Sequence, residues 1–588
     1  MGAEAERSAD AGERTEERPV GVAPADAAAE RTPIAGGGWR VARSVAAGLL
    51  TTLAGLLVFA ALVGPDRMDR LTPDAFLRIP LEGLLGLALL LALPGRGRRV
   101  AVALAGPLLG LLAVLKLADL GFDSALARPF DLVLDWALLD DAFGFVTDSV
   151  GRAGAVGAAI GALLLAAGLL LLMTLAVRRV TRLVVRHDRA ATRAVAALTV
   201  AWVACAAFGI RVAPGVPVAD TGASALVGAH VAQVHARLRD RTTFTAEIAT
   251  DPFRDTPGDQ LLTALRGKDV VLAFVESYGR DAVEDPEFAP EIGALLDAGN
   301  RRLRADGYAA RSGFLTSPTA GGGSWLAHDT LLSGLWIDNE QRHRSLLASD
   351  RLTLNGAFRR ADWRTVGVMP AATQPWPEGA FFGYDGYYDA ERLGYRGPKF
   401  SYAPMPDQYT LATFQRTERA PADRPPLMAE IPLISSHSPW TAVPRLIGWD
   451  DVGDGSVFAH AAASTEGPGD TVRRSTAEVR AGYRLSIGYS LETLISYVET
   501  YGDDDLVLVF LGDHQPAPVV TGPNASRDVP ITIVARDPAV FDRIAGWGWQ
   551  DGLRPGPDAP VWPMDAFRDR FLTAFGPTVN PAAARPTR

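Results

Sequence analysis

Residues Asp269 to Gly279 read DVVLAFVESYG. The unbroken apolar run Val270–Val275 is closed by Glu276. Such a run, short and bounded by acids, is the pattern of a strand buried on both faces in a parallel sheet. In open α/β sheets ligands sit at the C-terminal ends of the strands, which is where Glu276 falls. Leu506 to Gly512, LVLVFLG, has the same form and runs directly into Asp513-His514. Two buried strands, one ending in Glu276 and the other in Asp513-His514, point to one metal site with ligands from both.

Around these two strands the pattern alternates. Strand-like runs recur at Thr365–Met369, Leu427–Ile434 and Val529–Val534. Helical periodicity recurs at Pro290–Asp306, Ser324–Ser333, Asp407–Thr417 and Ala477–Tyr501. Alternation of this kind predicts an α/β domain, a mainly parallel sheet with helices on both faces, over 268–576. The last residues, 577–588, read as a loose tail.

The first 212 residues have a different composition. Residues 1–38 are rich in Ala, Glu, Arg, Gly and Pro and read as a disordered cytoplasmic tail. Residues 39–212 carry five apolar stretches: Ser44–Val63, Phe76–Pro94, Val100–Ala118, Ala153–Val177 and Ala194–Ile210. They predict a multi-pass α-helical membrane domain. Arg40 and Arg43, then Arg96, Arg98 and Arg99, then the cluster from Arg178 to Arg193 fall on one side of five spans. That side is the cytoplasm, so the chain after Arg211 emerges outside the membrane. Residues 213–267 form a linker with an amphipathic helix, Ala223–Asp240. Arg78 and Glu82, one helical turn apart near the outer face, are within reach of each other, and both read first as side chains snorkelling to the interface.

The net charge of −9 and pI near 5.5 provide no basic face for nucleic acid. A single cysteine, Cys205, excludes an internal disulfide and a cysteine-based zinc site.

Between the two acid-ended strands lies TSPTAGGGSWLAHDTLLSGL. Ser324, after Gly321-Gly322-Gly323, reads two ways. It is an ordinary N-cap, or it is a hydroxyl at the positive end of a helix dipole, where an alkoxide and a phosphate on it are favoured. A nearby metal would strengthen the second reading. His328 falls one turn on and reads as a packing or hydrogen-bonding residue.

In order along the chain these residues resemble the alkaline phosphatase and sulfatase superfamily. The motifs are VESYG, a hydroxyl at a helix start, SSHSPW around His437, and FLGDHQPAP. Membrane spans ahead of an external domain are most similar to the lipoteichoic acid synthase branch, as are FGYDGYYD (Phe382–Asp389) and YRLSIGYSLETLISYVE. The resemblance implies that Glu276, Asp513, His514 and Ser324 bind one divalent cation. The mixed oxygen and nitrogen set fits manganese, magnesium or zinc without choosing among them, and the resemblance puts manganese first. It further implies that Ser324 is the catalytic nucleophile and becomes phosphorylated. His437 contacts the transferred group, and Trp376 lines the substrate pocket. Ser324 stands where the synthases have threonine. Ala371 and Glu378 stand where that branch has an acid and an arginine. Ser324 also lacks the Cys-x-Pro-x-Arg context of classical sulfatases.

The expected function is that of a cell-membrane, extracytoplasmic phosphotransferase. It moves a phospholipid-derived headgroup, such as glycerol phosphate, to a cell-envelope glycan or lipid. The same site with water as acceptor would make a phosphodiesterase or phosphatase. A non-catalytic envelope protein that kept the fold is the reading from another class.

Overall fold

The computed structural model describes residues 37–136, 138–373, 376, 379–400, 402–440, 443–461 and 474–577. Most of the expected N-terminal tail, residues 1–36, lies outside them, as do Glu378 and residues 578–588.

Among the described residues, four helices are long and apolar enough to cross a membrane. They are α1 (Gly37–Val63), α3 (Gly95–Leu126), α4 (Leu138–Arg186, kinked at Gly151) and α5 (Asp188–Ala207). The second expected span differs. It is a turn at Pro73–Phe76, a two-residue strand at Ile79–Pro80, and a helix α2 confined to Leu81–Ala92. Pro80 supplies the cap that starts α2 late. Twelve residues make about 18 Å of helix, against a hydrocarbon layer of about 30 Å. Arg78 does not pair with Glu82. Its guanidinium binds Asp220 at 2.9 Å and the carbonyls of Val63 and Ala75, while Glu82 accepts from the Ser224 amide at 2.8 Å. α3 and α4 approach closely through Gly106 and Gly110, where a Cβ would meet the backbone of Thr174 and Leu170. Small residues four apart are what close helix approach in lipid requires.

A long helix α6 (Gly222–Ala249) precedes the α/β domain. That domain holds one nine-stranded sheet. The strands are β1 (Asp269–Val275), β2 (Ala309–Thr316), β3 (Arg364–Val368), β4 (Gly386–Tyr388), β5 (Leu427–Leu433), β6 (Leu506–Gly512), β7 (Asp528–Ala535), β8 (Gln550–Asp551) and β9 (Val561–Pro563). Their order is β8-β2-β7-β6-β1-β5-β3-β4, with β9 beside β2. β6, β1, β5, β3 and β4 pair in parallel, and only β7 and β8 run against the rest. β2, β4, β8 and β9 are strands the periodicity did not predict. β2 carries Arg311 and Ser312 inside an otherwise apolar run, and the other three are two or three residues long.

The two central strands feed two cores by alternation. Val271, Ala273 and Val275 of β1, with Leu506, Leu508 and Phe510 of β6, face one apolar layer. That layer contains α7 (Ala289–Ala305) and α9 (Thr476–Tyr501). Val270, Leu272 and Phe274, with Val507, Val509 and Leu511, face the other, which contains α8 (Ser324–Ser333). A strand covered on both faces must be apolar at every position, which is why its pattern is continuous.

Candidate active site

Register brings the acids together. Leu511 pairs with Phe274 and Gly512 with Val275, so Asp513 comes level with Glu276 where the two strands end. Gly512 is required there, because any Cβ would run into the Tyr278 carbonyl. Glu276, Asp513 and His514 each offer a ligand atom, all within 4.8 Å of one another, and all three residues are buried. His514 Nε2 lies 3.4 Å from Glu276 Oε1 and 3.7 Å from Asp513 Oδ2. His514 donates its Nδ1 proton to the Gln515 carbonyl at 2.8 Å, which turns Nε2 toward the carboxylates. An imidazole oriented this way by its far nitrogen is the usual arrangement of a metal-ligating histidine.

Ser324 completes the cluster. Its hydroxyl donates to Glu276 Oε2 at 2.9 Å and lies 3.2 Å from His514 Nε2. It is not the N-cap. Gly323 caps α8 in a left-handed conformation (φ 78°), Ser324 is the first helical residue, and its hydroxyl turns away from the backbone toward the carboxylates. The preceding loop is fixed from two sides. The Gly321 amide donates to the Gln515 carbonyl at 2.8 Å. Gly321, at φ +75°, also abuts the carbonyl of Ala125 at the end of α3, where no Cβ fits.

The electrostatics fit a cation. Burial opposes ionisation of Glu276, but the facing His437 and His514 outweigh it and hold its carboxyl well below the usual range. Burial, together with the charge of Glu276, pushes Asp513 up. His514 is raised despite its burial, because Asp513 and Glu276 both favour its charged form. Two carboxylates crowded this closely repel each other unless a positive charge lies between them. Two carboxylates, an imidazole nitrogen and a hydroxyl suit a small divalent cation.

Several supporting groups were not visible in the sequence. Ser277 sits in the left-handed region (φ +58°), which aims its hydroxyl back at Glu276 Oε1, 2.8 Å away. Its amide donates to Asp513 Oδ1 at 2.7 Å, as does that of His514. Tyr483 of α9 donates to the Ser277 carbonyl at 3.0 Å, and Ser436 to the Glu276 carbonyl at 2.6 Å. Ser277 and Ser436 lie inside VESYG and SSHSPW, and Tyr483 opens YRLSIGYSLETLISYVE.

His437 follows β5, stacks on Tyr402 at 4.1 Å and engages the Ser438 carbonyl through Nδ1 at 2.6 Å. His328 packs as expected. It stacks on Phe274 at 3.8 Å and lies 3.3 Å from the buried carboxylate of Glu430. That carboxylate also accepts from Tyr384 at 2.5 Å and Asn355 at 3.0 Å. Trp376 belongs to a separate aromatic cluster with Phe382, Tyr384 and Tyr387. Among the described residues no recorded contact joins it to Ser324.

The fold is similar to several solved structures. One is the lipoteichoic acid synthase LtaP from Listeria monocytogenes, at 14% identity and TM-score 0.37, covering 54% of this chain and 74% of that one. Another is an alkaline phosphatase superfamily protein from Vibrio parahaemolyticus, at 15% and 0.35, covering 55% and 71%. A third is the Streptococcus pyogenes phosphoglycerol transferase GacH in complex with sn-glycerol-1-phosphate, at 10% and 0.32, covering 57% and 90%. No protein-family model and no curated protein matches the chain.

Proposed function

We propose that this protein is a membrane-anchored, metal-dependent phosphotransferase of the alkaline phosphatase and sulfatase superfamily. In this reading residues 39–212 anchor it and residues 268–576 carry the site outside the cytoplasm. A cytoplasmic N-terminus with an external site needs an odd number of crossings, so in this reading α2, shorter than the hydrocarbon layer, crosses where the bilayer thins around it. The donor is a phospholipid headgroup and the acceptor a cell-envelope glycan or lipid.

The observation that carries this reading is the Ser324 hydroxyl, held at a helix start within hydrogen-bond reach of both Glu276 and His514. Glu276, Asp513, His514 and Ser324 would hold one divalent cation, manganese before magnesium or zinc. Such an ion supplies a lowered serine pKa and neutralises charge on phosphoryl oxygens. The chain does the rest. Glu276 accepts the hydroxyl hydrogen of Ser324, which directs an oxygen lone pair away from the carboxylate. The N-terminus of α8 favours negative charge at that oxygen. The Ser324 oxygen bonds to phosphorus as the ester bond to the lipid breaks, and the proton given up by Ser324 ends on the lipid oxygen, which leaves as an alcohol. An acceptor hydroxyl oxygen then bonds to phosphorus as the phosphoserine ester breaks, and its proton returns to the Ser324 oxygen. His437, with Nδ1 committed to a carbonyl, offers Nε2 to the transferred group.

The test uses full-length protein in liposomes containing a phospholipid labelled on its acyl chain. Metal-dependent release of labelled diacylglycerol is expected from the wild type and not from Ser324→Ala. Turnover retained by Ser324→Ala but lost in Glu276→Ala would refute the nucleophile. Activity confined to a small soluble phosphodiester would favour the hydrolase.

A further inference from the structure

α1, α2, α3, α4 and α6 line a partly open apolar cavity of about 940 Å³. Leucines and valines such as Leu62, Leu90, Leu108, Leu112, Val227 and Val231 make up most of its wall. The exceptions are informative. His230 of α6 lines the cavity and is only 4% exposed. Its Nε2 meets Asp119 Oδ2 of α3 at 3.0 Å, and Asp119 accepts the Phe130 amide on its other oxygen. The carboxylate can only accept, so the Nε2 proton is directed at it, and the uncharged tautomer this selects carries its lone pair on Nδ1. That Nδ1 has no partner among the described residues. Glu82 of α2 lines the same cavity. Its Oε1 takes the Ser224 amide, and its Oε2 has no partner either.

The cavity therefore offers an apolar body and two unsatisfied acceptors, with neither lysine nor arginine among its lining residues. A buried acceptor left without a donor costs free energy that a ligand hydroxyl would recover. A phosphate would meet no lysine or arginine in the wall to balance its charge. The cations nearby are committed elsewhere. Arg78 holds Asp220, and Lys116 holds the carbonyls of Leu62 and Gly64. Three of the helices that line it are long and apolar enough to cross a membrane.

We propose that this cavity binds a neutral lipid carrying a free hydroxyl, of the diacylglycerol class, with its acyl chains against the leucines and its hydroxyl donating to His230 or Glu82. Under the proposed function such a lipid is what headgroup removal leaves behind, and only this link rests on that reading. α3 lines the cavity, and its last turn touches the glycine loop before Ser324, so one helix connects the two sites.

Full-length protein in phosphatidylcholine nanodiscs, doped with a diacylglycerol bearing a diazirine on one acyl chain, tests this by photolabelling and peptide mapping. Label is expected on the cavity walls of α2, α3 and α6. Unlabelled diacylglycerol should displace it, and triacylglycerol, whose hydroxyl is capped, should not. Gly86→Leu fills the cavity, since a Cβ there meets nothing within 4 Å, and should abolish the label. Glu82→Gln keeps the shape and should weaken the preference for the free hydroxyl. Label unchanged by Gly86→Leu, or equal displacement by triacylglycerol, would overturn the proposal. Ser324→Ala protein should label like wild type, so failure of turnover and failure of binding are separable.

Discussion

Ser277→Ala isolates one hydrogen bond at the site. The Ser277 hydroxyl donates to Glu276 Oε1 at 2.8 Å, with both residues buried. The backbone bond from Ser277 to Asp513 survives the substitution, and alanine meets the same left-handed cost as serine. What is lost is a single bond to a carboxylate, worth about 1.5–3 kcal/mol. At about 1.4 kcal/mol per tenfold, that is roughly 10- to 150-fold in whatever depends on the placement of Glu276. Losses of about 10- to 100-fold are typical when a group orienting a metal ligand is removed. Manganese affinity by titration calorimetry, and kcat/KM on a soluble phosphodiester, should both fall within that range. Ser277→Gly is the control. It loses the same hydroxyl but relieves about 1 kcal/mol of left-handed strain. It should therefore match Ser277→Ala in affinity while unfolding at higher denaturant. An affinity within twofold of wild type for Ser277→Ala would refute the assignment of Glu276 as a ligand oriented by Ser277.

Three further outcomes follow from named contacts. Gly321→Ala places a Cβ against the Ala125 carbonyl at a φ of +75°, so the loop before Ser324 must move; turnover should fall at least tenfold, a loss of about 1.4 kcal/mol or more in transition-state stabilisation, while cation binding through Glu276, Asp513 and His514 persists in calorimetry. Arg568→Met removes a wholly buried guanidinium that holds Asp251 at 2.7 Å and the Leu352 carbonyl at 2.6 Å. Arg351 remains 3.5 Å from Asp251, so the low end of a broken buried pair applies, about 3 kcal/mol, read as a shift in urea midpoint. The same pair sets an acid limit. Burial works against ionisation of Asp251, but Arg568 wins and holds its carboxyl below the usual range. A depressed carboxylate stabilises the fold above its unfolded pKa of about 3.9, and that contribution disappears as pH falls through the lower folded value. Urea midpoints should therefore drop between pH 5 and 3 in the wild type, and less steeply in Arg568→Met.

What was legible in the sequence was what neighbouring residues encode. A run covered on both faces leaves little room for polar residues, so β1 and β6 were visible from composition alone, and β3, β5 and β7 in outline despite Gly367, Glu430 and Thr532 inside them. The terminal groups of β1 and β6, Glu276 and Asp513-His514, followed. β2 was not, because Arg311 and Ser312 interrupt it; Ser312 is satisfied only by Thr532 and the Gly552 carbonyl, both more than 200 residues away. Ser324 was ambiguous for a related reason. Ser after three glycines has the form of a cap, and only the contact with Glu276, 48 residues earlier, separates the two readings. The short α2 escaped because a 19-residue apolar stretch looks like a span until Arg78 is seen to belong to Asp220. The sequence could not pair His230 with Asp119, which lies on a different helix 111 residues away. Each miss involves a polar side chain whose meaning depends on a distant partner. Local pattern can reveal where a strand ends, but register decides what stands opposite: moving β6 by one residue against β1 would turn the Asp513 side chain to the other face and dissolve the ligand cluster.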